Sequence, residues 1–163
     1  MNTTLESFTD FNVAMAGVSG ALAGLLIVAI SVNIERVLSS TGISSRAASA
    51  IGSLVLAITV SCLALLPGQP LWALGIEVLA GAGVVAVMAT IAVRRIYQDT
   101  TQPRALRPFK SVMCLLPPAA FAVGGIILLF GDLNGYYWVA VGSMAAIVTG
   151  ITISWVALVE LLR

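Results

Sequence analysis

Five apolar runs dominate the chain, and each is long enough to cross a membrane. They cover about 12–34, 47–66, 70–93, 109–130 and 136–159. Spanning about 30 Å of hydrocarbon takes roughly 20 helical residues. Backbone polar groups in lipid must be satisfied within their own segment, so apolar runs of this length fold as helices. Composition agrees. Apolar residues make up 60% of the 163 positions and charged residues 9%, against roughly 25% charged in soluble domains. So few charges could not cover the surface of a water-soluble fold. The expected fold is all-α, a polytopic transmembrane bundle of five spans forming a single integral membrane domain over 1–163.

The positions of the bases test that span count. Lys and Arg gather on the cytoplasmic side of short loops. Arg36 and Arg46 follow the first run, Arg94, Arg95, Arg104, Arg107 and Lys110 lie between the third and fourth, and Arg163 ends the sequence. With five spans all eight fall on one side. The other side holds "PGQP" at 67–70 and "GDLNGYY" at 131–137, with no base. This places the N-terminus outside and the C-terminus in the cytoplasm. The start, "MNTTLESFTD", has no basic residue, so a cleavable signal peptide is not expected. "PGQP" and "GDLNG" are turn signals. They predict tight antiparallel hairpins between spans 2 and 3 and between spans 4 and 5.

One acid interrupts the third run. Glu77 stands seven residues after Pro70, about 10 Å below the outer end of its helix. An ionised group there costs a few kcal/mol, and no base lies on that side to offset it. Glu77 is therefore protonated, faces a wet cavity, binds a cation or meets a partner's base. At the same depth fall Ser19 and Gly20, Thr59 and Ser61, Gly124 and Gly125, and Gly142 and Ser143. Three readings stay open, one of them that Glu77 faces a partner protein; the other two concern this chain alone. Glu77 joins helices by hydrogen bonds, or Glu77, Ser19, Thr59, Ser61 and Ser143 form an ion or proton site.

Small residues recur on two runs. Gly17, Gly20 and Gly24 lie close to one face of the first, and Gly142, Ala146 and Gly150 are four apart in the fifth. Such stripes let helix backbones approach closely, within a bundle or between copies of a chain. Pro117 and Pro118 lie inside the fourth run and deprive the carbonyls of Met113 and Cys114 of their donors, so a kink with exposed carbonyls is expected. Arg94, Arg95, Arg104, Arg107 and Lys110 set topology and should attract anionic lipid headgroups. Glu35 is expected to pair with a base, Arg46 or Arg94. Trp72, Tyr136, Tyr137 and Trp138 mark the outer boundary and Tyr97 the inner one.

Absences narrow the function. There is no His, so the commonest metal ligand and neutral-pH base is missing. Cys62 and Cys114 are lone cysteines in apolar runs, which form neither a disulfide framework nor a zinc site. No phosphate-binding, dinucleotide-binding, metalloprotease, hydrolase or selectivity-filter motif occurs. No metal, cofactor, nucleic acid or enzymatic activity is expected.

The stretches "GALAGLLIVAISVNIERVL", "RAASA" and "LLPGQPLWALGIEVL" resemble a set of small bacterial multi-pass proteins, some labelled modulators of the FtsH protease. The likeness runs from about Phe11 to Arg94. It implies an accessory or regulatory role in the bacterial inner (plasma) membrane. The better-known modulators have more spans and a paired-Asp site in their last helices, and this chain shows five spans and no such pair. The expected function is non-enzymatic, acting by association as an accessory or regulatory subunit or a homo-oligomer. The alternative is a small oligomeric ion channel or transporter with Glu77 in its site.

Overall fold

The computed structural model describes residues 5–39, 41–98 and 104–159. Arg163 and residues 99–103 of the basic segment lie outside the described residues. A 3₁₀ turn at Leu5–Phe8 leads into helix α1 (Thr9–Val32). The short α2 (Ile34–Ser39) follows, then α3 (Thr41–Ala64), α4 (Leu71–Gln98), α5 (Arg107–Leu129, preceded by a 3₁₀ turn at Arg104–Leu106) and α6 (Gly135–Val159). Among the described residues five helices are long and apolar enough to cross a membrane, and they are α1, α3, α4, α5 and α6. Two boundaries differ from expectation. Helix α3 starts before the apolar run, so Arg46 belongs to a helix and not to a loop. Helix α4 continues past the apolar run through Arg94 and Arg95.

The long helices form a closed ring in the order α1, α3, α4, α5, α6, with α3 and α6 also touching across its middle. Two turns set the hairpins. Gln69 N donates to Leu66 O across Pro67 and Gly68, and Gly68 has φ +74°. That is a type II turn, with Pro preset at its second position and Gly supplying positive φ at its third. At the end of α5, Gly131 N donates to Leu128 O and Asp132 N to Ile127 O, with Gly131 at φ +80°. This is a Schellman cap. Asp132 Oδ1 then accepts from Asn134 N at 2.9 Å and turns the chain into α6.

Glycines set how closely α4, α5 and α6 approach. A Cβ on Gly75 would lie 2.7 Å from Leu129 N, and one on Gly124 would lie 2.8 Å from Gly135 O. Gly125 meets Gly75 and Leu79. The Gly124–Gly125 pair therefore receives one neighbour on each side of α5. Helix α5 carries Pro117 and Pro118 without interruption. Thr149 Oγ1 on α6 lies 3.1 Å from Met113 O and 2.8 Å from Ala145 O. The carbonyl that Pro117 leaves without a donor is thus served by a neighbouring helix, which is how proline is tolerated in membrane helices.

Helices α1 and α6 run parallel and in register. Tyr136 Oη donates to Asn12 Oδ1 near one end, and Asn33 Nδ2 donates to Ala157 O at 2.9 Å near the other. Both pairs are 124 residues apart. The same offset sets Ser19 level with Ser143 and Leu26 level with Gly150. Along α1 and its C-cap, Asn12, Ser19, Leu26 and Asn33 recur every seven residues, and all are buried. On α6, Tyr136, Ser143, Gly150 and Ala157 do the same. A seven-residue period holds one seam of each helix against its partner, as in a coiled coil. Here the seam carries polar groups at both ends.

Candidate functional site

Glu77 lies in the second turn of α4 and is half-buried. Its Oε2 accepts a hydrogen bond of 2.8 Å from Gln69 Nε2. The donor comes from the "PGQP" turn, which folds back over the start of α4. A neutral amide thereby supplies what no own-chain base could. Above it a cavity of about 630 Å³ opens at the end of the bundle where α1 begins. Gln69, Thr9, Leu66 and Leu133 line it, and Glu77 does not.

The structure aligns the serines by depth and separates them from the acid. Leu54 of α3 packs on Gly150 of α6. One heptad along each antiparallel helix, Ser61 is level with Ser143, and hence with Ser19. All three are buried. Ser143 Oγ donates to Val139 O at 3.0 Å, while Ser19 Oγ has no partner. Glu77 is one turn from Gly81, which packs on Leu56 of α3. Ser61 is about 140° around α3 from Leu56 and about 20° from Leu54 at 3.6 residues per turn. Helix α3 therefore stands between Glu77 and the three serines. Thr59 is exposed and donates to Val55 O at 2.8 Å. Among the described residues no hydrogen bond joins Glu77 to any of these hydroxyls.

The two glycine stripes part company. Gly142 receives the Phe121 ring and Gly150 the Leu54 side chain, so the α6 stripe is used inside the bundle. A Cβ on Gly17, Gly20 or Gly24 would meet nothing within 4 Å. That stripe faces away from the α6 seam, and all three glycines are exposed.

The opposite end of the bundle is basic. Arg94, Arg95 and Arg104 are exposed there, and Arg107 and Lys110 are half-buried at the start of α5. Glu35 is exposed, and the expected pairing of Glu35 with Arg46 or Arg94 is not formed. Arg46 points inward instead. It is 5% exposed, its guanidinium lies beside the Cys114 thiol, and its Nε has no partner. Cys62 and Cys114 are free thiols. No cluster of three or more potential metal ligands occurs among the described residues.

Trp72, Tyr137 and Trp138 are exposed at the cavity end, as belt residues should be, but Tyr136 is buried. Its ring packs against Phe8 at a tilt of 49°, with centroids 4.8 Å apart, and its hydroxyl holds Asn12. Gln69, the Asn12–Tyr136 pair and Arg46 are the residues that sequence reasoning missed. A seven-residue period was present in spans 1 and 5 and would have exposed the pair. Arg46 carried a signal too, since a helix placed to begin at Thr41 turns it into the bundle.

No family model, curated protein or solved structure matches the chain.

Proposed function

We propose that this is a non-enzymatic integral membrane protein that acts by association, with the glycine face of α1 receiving the same face of a second copy. The observation carrying this reading is the contrast between stripes. Gly142 and Gly150 are filled by Phe121 and Leu54, whereas Gly17, Gly20 and Gly24 meet nothing. Small residues four apart are what close helix packing in lipid uses, and lipid alone does not need them. The accessory or regulatory role implied by the resemblance in the first half of the chain is compatible with this face. The distribution of bases supports a cytoplasmic location for the basic end, with the N-terminus outside, in the bacterial inner membrane that the resemblance implies. There Arg94, Arg95, Arg104, Arg107 and Lys110 attract anionic headgroups, each by about 1 kcal/mol.

The decisive measurement is oligomeric state in lipid, read by subunit counting of labelled protein across a range of dilution. Wild type should associate. Replacing Gly17, Gly20 and Gly24 by Leu should yield monomers with an unchanged unfolding profile, because no contact inside the bundle is altered. A wild type that is monomeric at every dilution would remove the reading. The channel alternative draws on the half-buried Glu77 beneath the cavity. It requires cation or proton flux in liposomes that Glu77→Gln reduces, and an inert wild type would end it.

A further inference from the structure

The cavity above Glu77 has room for a small molecule. Its volume is about 630 Å³, and ligand sites run from roughly 300 to 1,000 Å³. Three segments wall it: Leu5 and Thr9 at the entry to α1, the turn between Ala64 and Leu71, and Gly131 and Leu133 ahead of α6. Most of the lining is leucine, alanine, proline or glycine, and its polar side chains are Thr9 and Gln69. Such a wall takes an apolar body, and the few polar groups fix its orientation.

Gln69 is held at two points. Its backbone N donates to Leu66 O, and its side-chain Nε2 donates to Glu77 Oε2. The amide nitrogen is therefore committed to an acid that does not line the cavity. The amide carbonyl Oε1 accepts no hydrogen bond among the described residues. Gln69 thus brings to the lining a spare acceptor, already fixed in place. A carboxylate on the far side of the amide polarises it and strengthens that acceptor. The surrounding charge has the same sign. Asp10 and Asp132 are exposed beside lining residues, and 5–10, 64–71 and 131–133 contain no Lys or Arg. An end charged in this way attracts cations.

We propose that this cavity binds an organic cation, an ammonium group on an apolar body. The ammonium donates to Gln69 Oε1, with the Glu77 carboxylate behind the amide, and the apolar body lies against the leucines. The site depends neither on the α1 association proposed above nor on ion flux.

The test uses the full chain in phosphatidylcholine nanodiscs at neutral pH, with empty nanodiscs as the blank for partitioning into lipid. Calorimetric titrations compare phenylbutylamine, phenylbutanol and phenylbutyrate, which share a body and differ in the charge of the head. Wild type should bind the ammonium saturably and about ten-fold or more tighter than the alcohol, the gain expected of one charge-assisted hydrogen bond. The carboxylate should bind no better than the alcohol. Glu77→Gln should lose most of the preference for the ammonium while still binding the alcohol. Should Glu77→Gln fail to fold, Gln69→Met decides, since it removes the acceptor at similar length and should lose the same preference. Thr9→Trp, at an exposed lining position, fills space in the cavity and should weaken binding of both the ammonium and the alcohol. Absence of saturable ammonium binding in wild type overturns the proposal. So do equal affinities for the three probes, a preference that survives Glu77→Gln or Gln69→Met, and ammonium binding that Thr9→Trp leaves unchanged.

Discussion

Glu77 and Arg46 both lie within spanning helices, and the bundle treats them in opposite ways. Glu77 is half-buried near one end and has a dedicated donor, the Gln69 amide 2.8 Å away. Arg46 is buried near the other end, where the Cys114 thiol lies beside it and no carboxylate among the described residues pairs with it. The acid was satisfied by local means. Its donor lies eight residues earlier, on a turn that Pro67 and Gly68 shape. The base was left with an unspent edge. A buried group that is satisfied stabilises its surroundings, and one that is not stores a cost. The difference assigns a structural contact to the first and an open valence to the second.

Three substitutions can break this comparison. The largest effect is expected at Arg46. In detergent micelles Arg46→Met should raise unfolding stability by about 1–4 kcal/mol, because an apolar chain of similar length replaces an unpaired charge. Steric trapping or denaturant unfolding measures it, and a loss of stability would mean that the guanidinium supports the fold unaided. Next is Gln69→Leu. It removes the only donor to Glu77 among the described residues and should cost about 1–3 kcal/mol, visible as a lower unfolding midpoint. A neutral result would show that solvent in the cavity replaces the amide. The smallest effect belongs to Glu77→Gln. Its side-chain carbonyl still accepts from Gln69, so stability should stay within about 1 kcal/mol. A larger drop would reveal a charge partner for Glu77.

Much of this arrangement was readable in the sequence. The five spans follow from run length, because lipid leaves the backbone no other choice. The hairpins follow from Pro67–Gly68 and from Gly131, whose φ values are those their turn types require. Depth also transferred well, since helical rise is constant. Ser19, Ser61 and Ser143 do share a level. Rotation did not transfer. Whether Thr59 faces lipid or core depends on which neighbours α3 finds, and depth carries no such information. The sequence sets Arg46 between the first two apolar runs, because a base normally ends an apolar run. Helix α3 starts earlier, at Thr41, with a weakly apolar first turn. The glycine stripes show the same limit. Gly20 and Gly24 have the same spacing as Gly142 and Ala146, and only packing decides which face is filled.

The parallel register of α1 and α6 has a consequence for how the protein is made. Helix α1 leaves the ribosome first among the described spans, and α6 leaves last. Until α6 arrives, Asn12 has no Tyr136 and the Asn33 amide has no Ala157 carbonyl. The first span therefore waits in the bilayer without its α6 partners, the Asn33 amide bonded only to Ala29 O of its own segment, while the other helices are inserted beside it. Its exposed glycines are available throughout that wait. The ring closes only when the two ends of the described chain meet, so assembly is complete at the last helix and not before.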